Sequence, residues 1–187
     1  GLAASVIRRD NEIDRREVEV EEMCLRILET ERPTGSDLRL IAGVLKINLR
    51  LERMADLAVN IAESAQELVT SRAAPLELDL EPLTDLTQRM VRDGLNALVT
   101  RDVDLARRVC GMDDEADRLV TDLRDDAVGR MKKDPTRIDS VTSILGALRD
   151  LERIADQATN VAEDVVYLVD GEIIRHRDSG SGRGSSV

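Results

Sequence analysis

Between Leu38 and Leu68 apolar side chains return every three or four residues. Leu38, Ile41, Ala42, Leu45 and Leu49 run into Leu51, Ala55, Ala58 and Ala62, and that spacing predicts a helix of some thirty residues, roughly 45 Å long, capped at its start by Ser36. A second long helix of the same kind is predicted to begin where Asp134 caps and Pro135 takes the first helical position, and to stop at Gly171. Shorter helices are predicted at about Asn11–Glu29 and Asp114–Lys132, and one at about Leu83–Cys110 follows Pro82. Ser71–Pro82, with two prolines and alternating acids and leucines, connects the two groups.

The two groups are copies. Leu51–Glu63 reads LERMADLAVNIAE and Leu151–Glu163 reads LERIADQATNVAE, identical at nine of thirteen positions. Upstream, Pro33, Thr34 and Asp37 match Pro135, Thr136 and Asp139. Earlier still, Leu2, Val6, Asp10, Glu12 and Asp14 match Leu105, Val109, Asp113, Glu115 and Asp117. A tandem duplication follows, with a first repeat over 1–70, a linker over 71–82, a second repeat over 83–171 and a Ser/Gly tail over 172–187 expected to be flexible. The first repeat should also open with a helix, yet only Leu2–Arg9 is left for it, so the chain reads as a longer protein short of roughly twenty residues, about one helix of ordinary length.

Composition narrows the function classes. The 187 residues hold 27 Lys or Arg against 38 Asp or Glu, a net charge of −11, and a single aromatic residue, Tyr167. Such a chain lacks both the basic footprint and the stacking platforms of a nucleic-acid binder. The longest uncharged run, about Ser140–Leu148, is far short of the roughly 18 residues of a membrane span, and the N-terminus carries no signal peptide. Cys24 and Cys110 are too few for a disulfide framework, lie among apolar residues and read as core of a cytoplasmic protein. Without Phe or Trp, the core must be aliphatic and helical.

The remaining signal is a stripe of acids. At about 100° per residue, Glu52, Asp56, Asn60 and Glu63 fall at roughly 0°, 40°, 80° and 20°, beside the apolar face of Leu51, Ala55, Ala58 and Ala62. The same residue types recur at Glu152, Asp156, Asn160 and Glu163. A second pair, Asp10 with Asp14 and Asp113 with Asp117, sits where negative charge suits a helix start. Glu17 and Glu21 extend it in the first half, whereas Val120 and Arg124 stand there in the second. Carboxylates four apart repel by a few tenths of a kcal/mol per pair. Two offsets fit: solvation with neighbours such as Arg53 and Arg153, or a cation, since paired carboxylates supply the hard oxygens that Mg²⁺, Mn²⁺ and iron accept. Asn60 and Asn160 fit either as oxygens at or behind such ligands or as helix-to-helix hydrogen bonds. The only histidine, His176, lies past Gly171, so neither a Glu-x-x-His di-iron site nor a Cys/His zinc site is available. No glycine-rich phosphate loop or nucleophile elbow occurs.

The doubled LER-(M/I)-AD-x-A-x-N-(I/V)-AE segments, the preceding RDNEID and MDDEAD and the closing YLVDGEIIRH resemble the PhoU family of phosphate-uptake regulators across about Leu2–His176. The resemblance implies an all-α fold of two tandem three-helix bundles, the first helix of the first largely missing here. It also implies multinuclear metal clusters, of iron or zinc, on motifs that map to Asp10 with Asp14, Glu52 with Asp56, Asp113 with Asp117 and Glu152 with Asp156, with Asn60, Asn160, Glu63 and Glu163 behind them. Mg or Mn would suit the same oxygens. The implied role is that of a cytoplasmic negative regulator and not an enzyme, its partners being the ATPase-driven phosphate ABC transporter and a sensor histidine kinase. The family commonly has His after the motif Asp; Leu57 and Gln157 stand there, which leaves the sites almost purely oxygen-liganded. Apolar surface left by the missing helix suggests a homodimer. A purely structural helical adaptor and a metal-dependent hydrolase are the competing readings.

Overall fold

The computed structural model describes residues 1–70 and 76–171, and these are helical apart from short connections. Six helices follow in order: α1 (Leu2–Glu31), α2 (Gly35–Thr70), α3 (Glu81–Thr100), α4 (Val103–Cys110), α5 (Asp113–Lys133) and α6 (Ile138–Asp170). The all-α expectation and both long helices hold. Parts of two expected segments, 71–75 of the linker and the 172–187 tail with His176, lie outside the described residues.

The ends follow local chemistry. Asp134 accepts from the Thr136 backbone N–H, and Pro135–Arg137 form a 3-10 turn that leads into α6. Gly171, at φ 72°, closes that helix in the left-handed conformation that glycine takes without a Cβ penalty. α2 begins at Gly35, one residue before the expected Ser36 cap, and the Thr34 carbonyl accepts from the Asp37 N–H at 3.3 Å.

Two expected helices are corrected. Leu83–Cys110 is two helices, not one: Arg101 turns left-handed at φ 54°, and Asp102 then caps α4 by accepting from the Leu105 N–H at 2.8 Å. Conversely, Leu2–Arg9 and Asn11–Glu29 are one helix. Leu2–Arg9 is therefore the counterpart of α4 and not the remnant of the opening helix that was expected there. A break between α4 and α5 falls at Gly111, where the first half has Arg8 and the helix runs on.

α2 and α6 form the central pair, with α1 packed on α2 and with α3, α4 and α5 packed on α6. The pair is antiparallel, since Gly43 meets Leu168, Arg39 lies against Gly171, and Arg50 reaches Asp164. A single aliphatic core runs from Ile47 and Met54 of α2 through Leu83, Leu86 and Met90 of α3 to Leu148, Ala155, Val161 and Val165 of α6. Leu76, Leu78 and Leu80 of the connection pack on that core while Glu77 and Asp79 stay exposed, which accounts for their alternation. Cys24 is buried, as expected.

Inside the α2–α6 seam Arg50 Nε donates to Asp164 Oδ2 at 3.1 Å, and its Nη1 donates to Gln157 Oε1 at 3.2 Å. The Asp164 side chain is 1% exposed. Asp164→Ala should leave the Arg50 charge partly buried without its partner and lower the unfolding free energy by about 3 kcal/mol in urea titrations. The double variant Arg50→Met with Asp164→Leu should recover most of that loss.

Candidate metal centre

The four acid pairs form two groups, one in each half. In the first, α1 carries Asp10 and Asp14 one turn apart, and its packing on α2 brings them to Glu52 and Asp56. Asp10 is pushed above the ordinary carboxylate range because burial strips its hydration and because Asp14 and Asp56 add negative charge. Glu52 is raised too, first by burial, then by the charge of Asp56, a hydrogen bond with the Asp56 carboxyl, and the charges of Glu17 and Asp14.

The second group joins Asp113 and Asp117 of α5 to Glu152 and Asp156 of α6. Asp113 is raised chiefly by burial, against a stabilising hydrogen bond that Thr159 Oγ1 donates to its Oδ1 at 2.9 Å, with Asp117 and Asp114 adding repulsion. Asp156 is pushed up to about 6 by shielding of its carboxyl from water and then by Asp113, Asp117 and Glu152. Here the halves part company. Arg124 reaches Glu152 Oε2 at 3.5 Å, while the matching position in the first half is Glu21.

The surrounding positions have mixed fates. Asn160 donates to the Asp156 carbonyl of its own helix at 2.7 Å, so its amide nitrogen is spent within α6. Asn60 and Glu63 are exposed on α2. Glu163, together with Asp113, acts on Cys110, whose half-buried thiol is pushed up to about 11, mainly by burial. Cys110 therefore borders the second carboxylate group and is not simply core. Gln157, at the position where a histidine was noted as usual, bonds Arg50 and so serves the α2–α6 seam. Thr159 escaped the sequence reading, although its place three residues after Asp156 on the acid stripe is a usable signal.

Both groups offer hard oxygen donors from two helices, and Asp10 Oδ1 is buried with no hydrogen-bond partner. An orphaned carboxylate oxygen amid repelling carboxylates fits a small divalent or trivalent cation. Among the described residues no three Asp, Glu, His or Cys side chains stand close enough to ligate one ion as placed, so a cation at either group would require its carboxylates to draw together. Asp10, Asp14, Glu52 and Asp56 would hold the first ion or cluster, and Asp113, Asp117, Glu152 and Asp156 the second.

A family model described as the PhoU domain matches residues 1–65 and 80–165. The phosphate-specific transport system accessory protein PhoU homolog of Pseudomonas putida is 40% identical over 177 residues, 94% of this chain and 69% of that protein. The crystal structure of PhoU from Pseudomonas aeruginosa superposes with a TM-score of 0.88 at 38% identity, covering 92% of this chain and 83% of that one. The phosphate transport system regulatory protein PhoU from Streptococcus pneumoniae gives 0.84 at 29% identity, over 92% and 81%.

For Asp156 the folded state binds a proton more tightly than the unfolded chain does, so its contribution to stability is present below the unfolded value, near 3.8, and is lost as pH rises through about 6. Metal-free protein should therefore lose urea resistance between pH 4 and 7, and Asp156→Asn should flatten that loss and raise the midpoint at pH 7. Carboxyl-carbon NMR should place the Asp156 titration near 6, moving downward in Asp113→Asn.

Proposed function

Since the chain belongs to the PhoU family, we propose that it is a regulatory accessory protein of a phosphate-specific transport system, acting in the cytoplasm as a negative regulator and not as an enzyme. Its partners are the ATPase side of the phosphate ABC transporter and a phosphate-sensing histidine kinase, and it works by presenting helical surface to them. No helix among the described residues is long and apolar enough to cross a membrane.

Metal is part of this reading. The observation that carries it is the buried, unpartnered Asp10 Oδ1 inside a group of mutually repelling carboxylates. A bound cation supplies the positive charge that this group lacks, and so fixes α1 against α2 and α5 against α6. The donors are oxygens throughout, which favours iron, manganese or magnesium over softer metals. The Arg124 contact with Glu152 already supplies one positive charge to the second group, so the first group should hold its metal more tightly.

Elemental analysis of protein purified without chelator is expected to find metal, with Glu52→Ala plus Asp56→Ala removing more of it than Glu152→Ala plus Asp156→Ala. Equal, negligible metal in all three proteins would sink the metal reading. Deleting the gene should raise phosphate-starvation reporters at high external phosphate, and reporters that stay silent would sink the regulatory one.

A further inference from the structure

Away from both carboxylate groups, a cavity of about 200 Å³ opens where the start of α2 meets the ends of α3 and α6. Leu98 and Val165 belong to its apolar wall, and Ser36, Asp37, Arg39 and Arg101 supply its polar side chains. Arg39 is the anomaly among them. Its guanidinium reaches across to Gly171 at the end of α6, and its Nε is buried with no hydrogen-bond partner. Among the described residues neither Arg39 nor Arg101 takes part in an ion pair. Carried on from the match of Asp37 with Asp139, the same place in the second half holds Val141, which is fully buried. Apolar packing suffices there, so the unpaired charge in the first half needs another account.

We propose that this cavity binds inorganic phosphate, with Arg39 and Arg101 donating to its oxygens and Asp37 accepting from the hydroxyl that phosphate keeps at neutral pH. Guanidinium forks match the geometry of a tetrahedral oxyanion, and the apolar wall strengthens the attraction by excluding water. Two cations against one carboxylate leave the lining net positive in a chain whose net charge is −11. Asp37 then selects the anion. An ionised carboxylate only accepts hydrogen bonds, so it repels sulfate, which carries no proton at neutral pH, and pairs with phosphate, which does. Size excludes larger esters: the cavity is smaller than the roughly 300 Å³ at which pockets for drug-sized ligands begin. The carbonyls that end α3 and α6 oppose an anion, but some are already taken, those of Ala97 and Leu98 by the Arg101 N–H and that of Tyr167 by the Gly171 N–H. Bound phosphate ties the start of α2 to the turn between α3 and α4. As the signal that a regulator of phosphate transport reads, it deepens the function proposed above and in that respect rests on it.

The test is a titration of the purified 187-residue chain with inorganic phosphate, in chelator so that no metal-bound phosphate contributes, read by calorimetry and by backbone amide NMR. Saturable one-to-one binding is expected, with amide shifts gathered at 36–40 and 98–102. Arg39→Met and Arg101→Gly should each weaken it at least tenfold; glycine suits the left-handed turn at φ 54° and so keeps the fold. Arg89→Met, which removes an exposed charge of α3 outside the cavity, should leave it unchanged. Sulfate should compete poorly with the parent protein and as well as phosphate with Asp37→Asn. No saturable binding, binding that Arg39→Met and Arg101→Gly both retain, shifts confined to the carboxylate groups, or sulfate competing equally with the parent would overturn the proposal. Because binding is read on purified protein, it can fail while the cellular reporters respond, and hold while they stay silent.

Discussion

Arg50 and Asp164 sit 3.1 Å apart in the seam between the two longest helices, where the Asp164 side chain is almost wholly shielded from water. A charge in that position is tolerated only with its partner, so the pair ties the register of α2 to that of α6. Gly43 lets the helices approach further along, since any Cβ there would run into the Leu168 side chain. Every other element takes its place from this pair of helices. α1 lies on α2, the remaining helices lie on α6, and the carboxylate groups form where those outer helices cross the inner ones.

A second constraint opposes the first. Packing α1 on α2 and α5 on α6 gathers four acids in each half, and burial together with mutual repulsion raises Asp10, Glu52, Asp113 and Asp156 alike. The apolar contacts that hold the helices together therefore also store electrostatic repulsion at their edges. A cation would relieve it and a proton would relieve part of it, and in the second half Arg124 and Thr159 already do some of that. This difference makes the two halves chemically unequal even though their motifs match residue for residue.

Much of this was legible beforehand. The 3.6-residue period from Leu38 to Leu68 and the Gly171 stop gave the long helices, and the acid stripe at Glu52, Asp56 and Glu63 pointed to one helix face without any partner. The interruption at Arg101 was missed because apolar periodicity continues through Val103, Ala106 and Val109, and a non-glycine residue in the left-handed region leaves no compositional trace. Asp102 as a cap was the available clue. Arg50 and Asp164 were unreadable as a pair, because nothing local relates two residues 114 positions apart.

The sequence by itself determined the two long helices, the duplication and the identity of the eight carboxylates, because periodicity and repetition are properties of a single strand of residues. Only the tertiary structure decided that the halves share one core, that the acid pairs associate within each half, and that Gln157 turns to Arg50. Those outcomes depend on which helix faces meet. Side chains far apart in the chain settle that by competing for one buried seam, through apolar burial and the pairing of a desolvated charge.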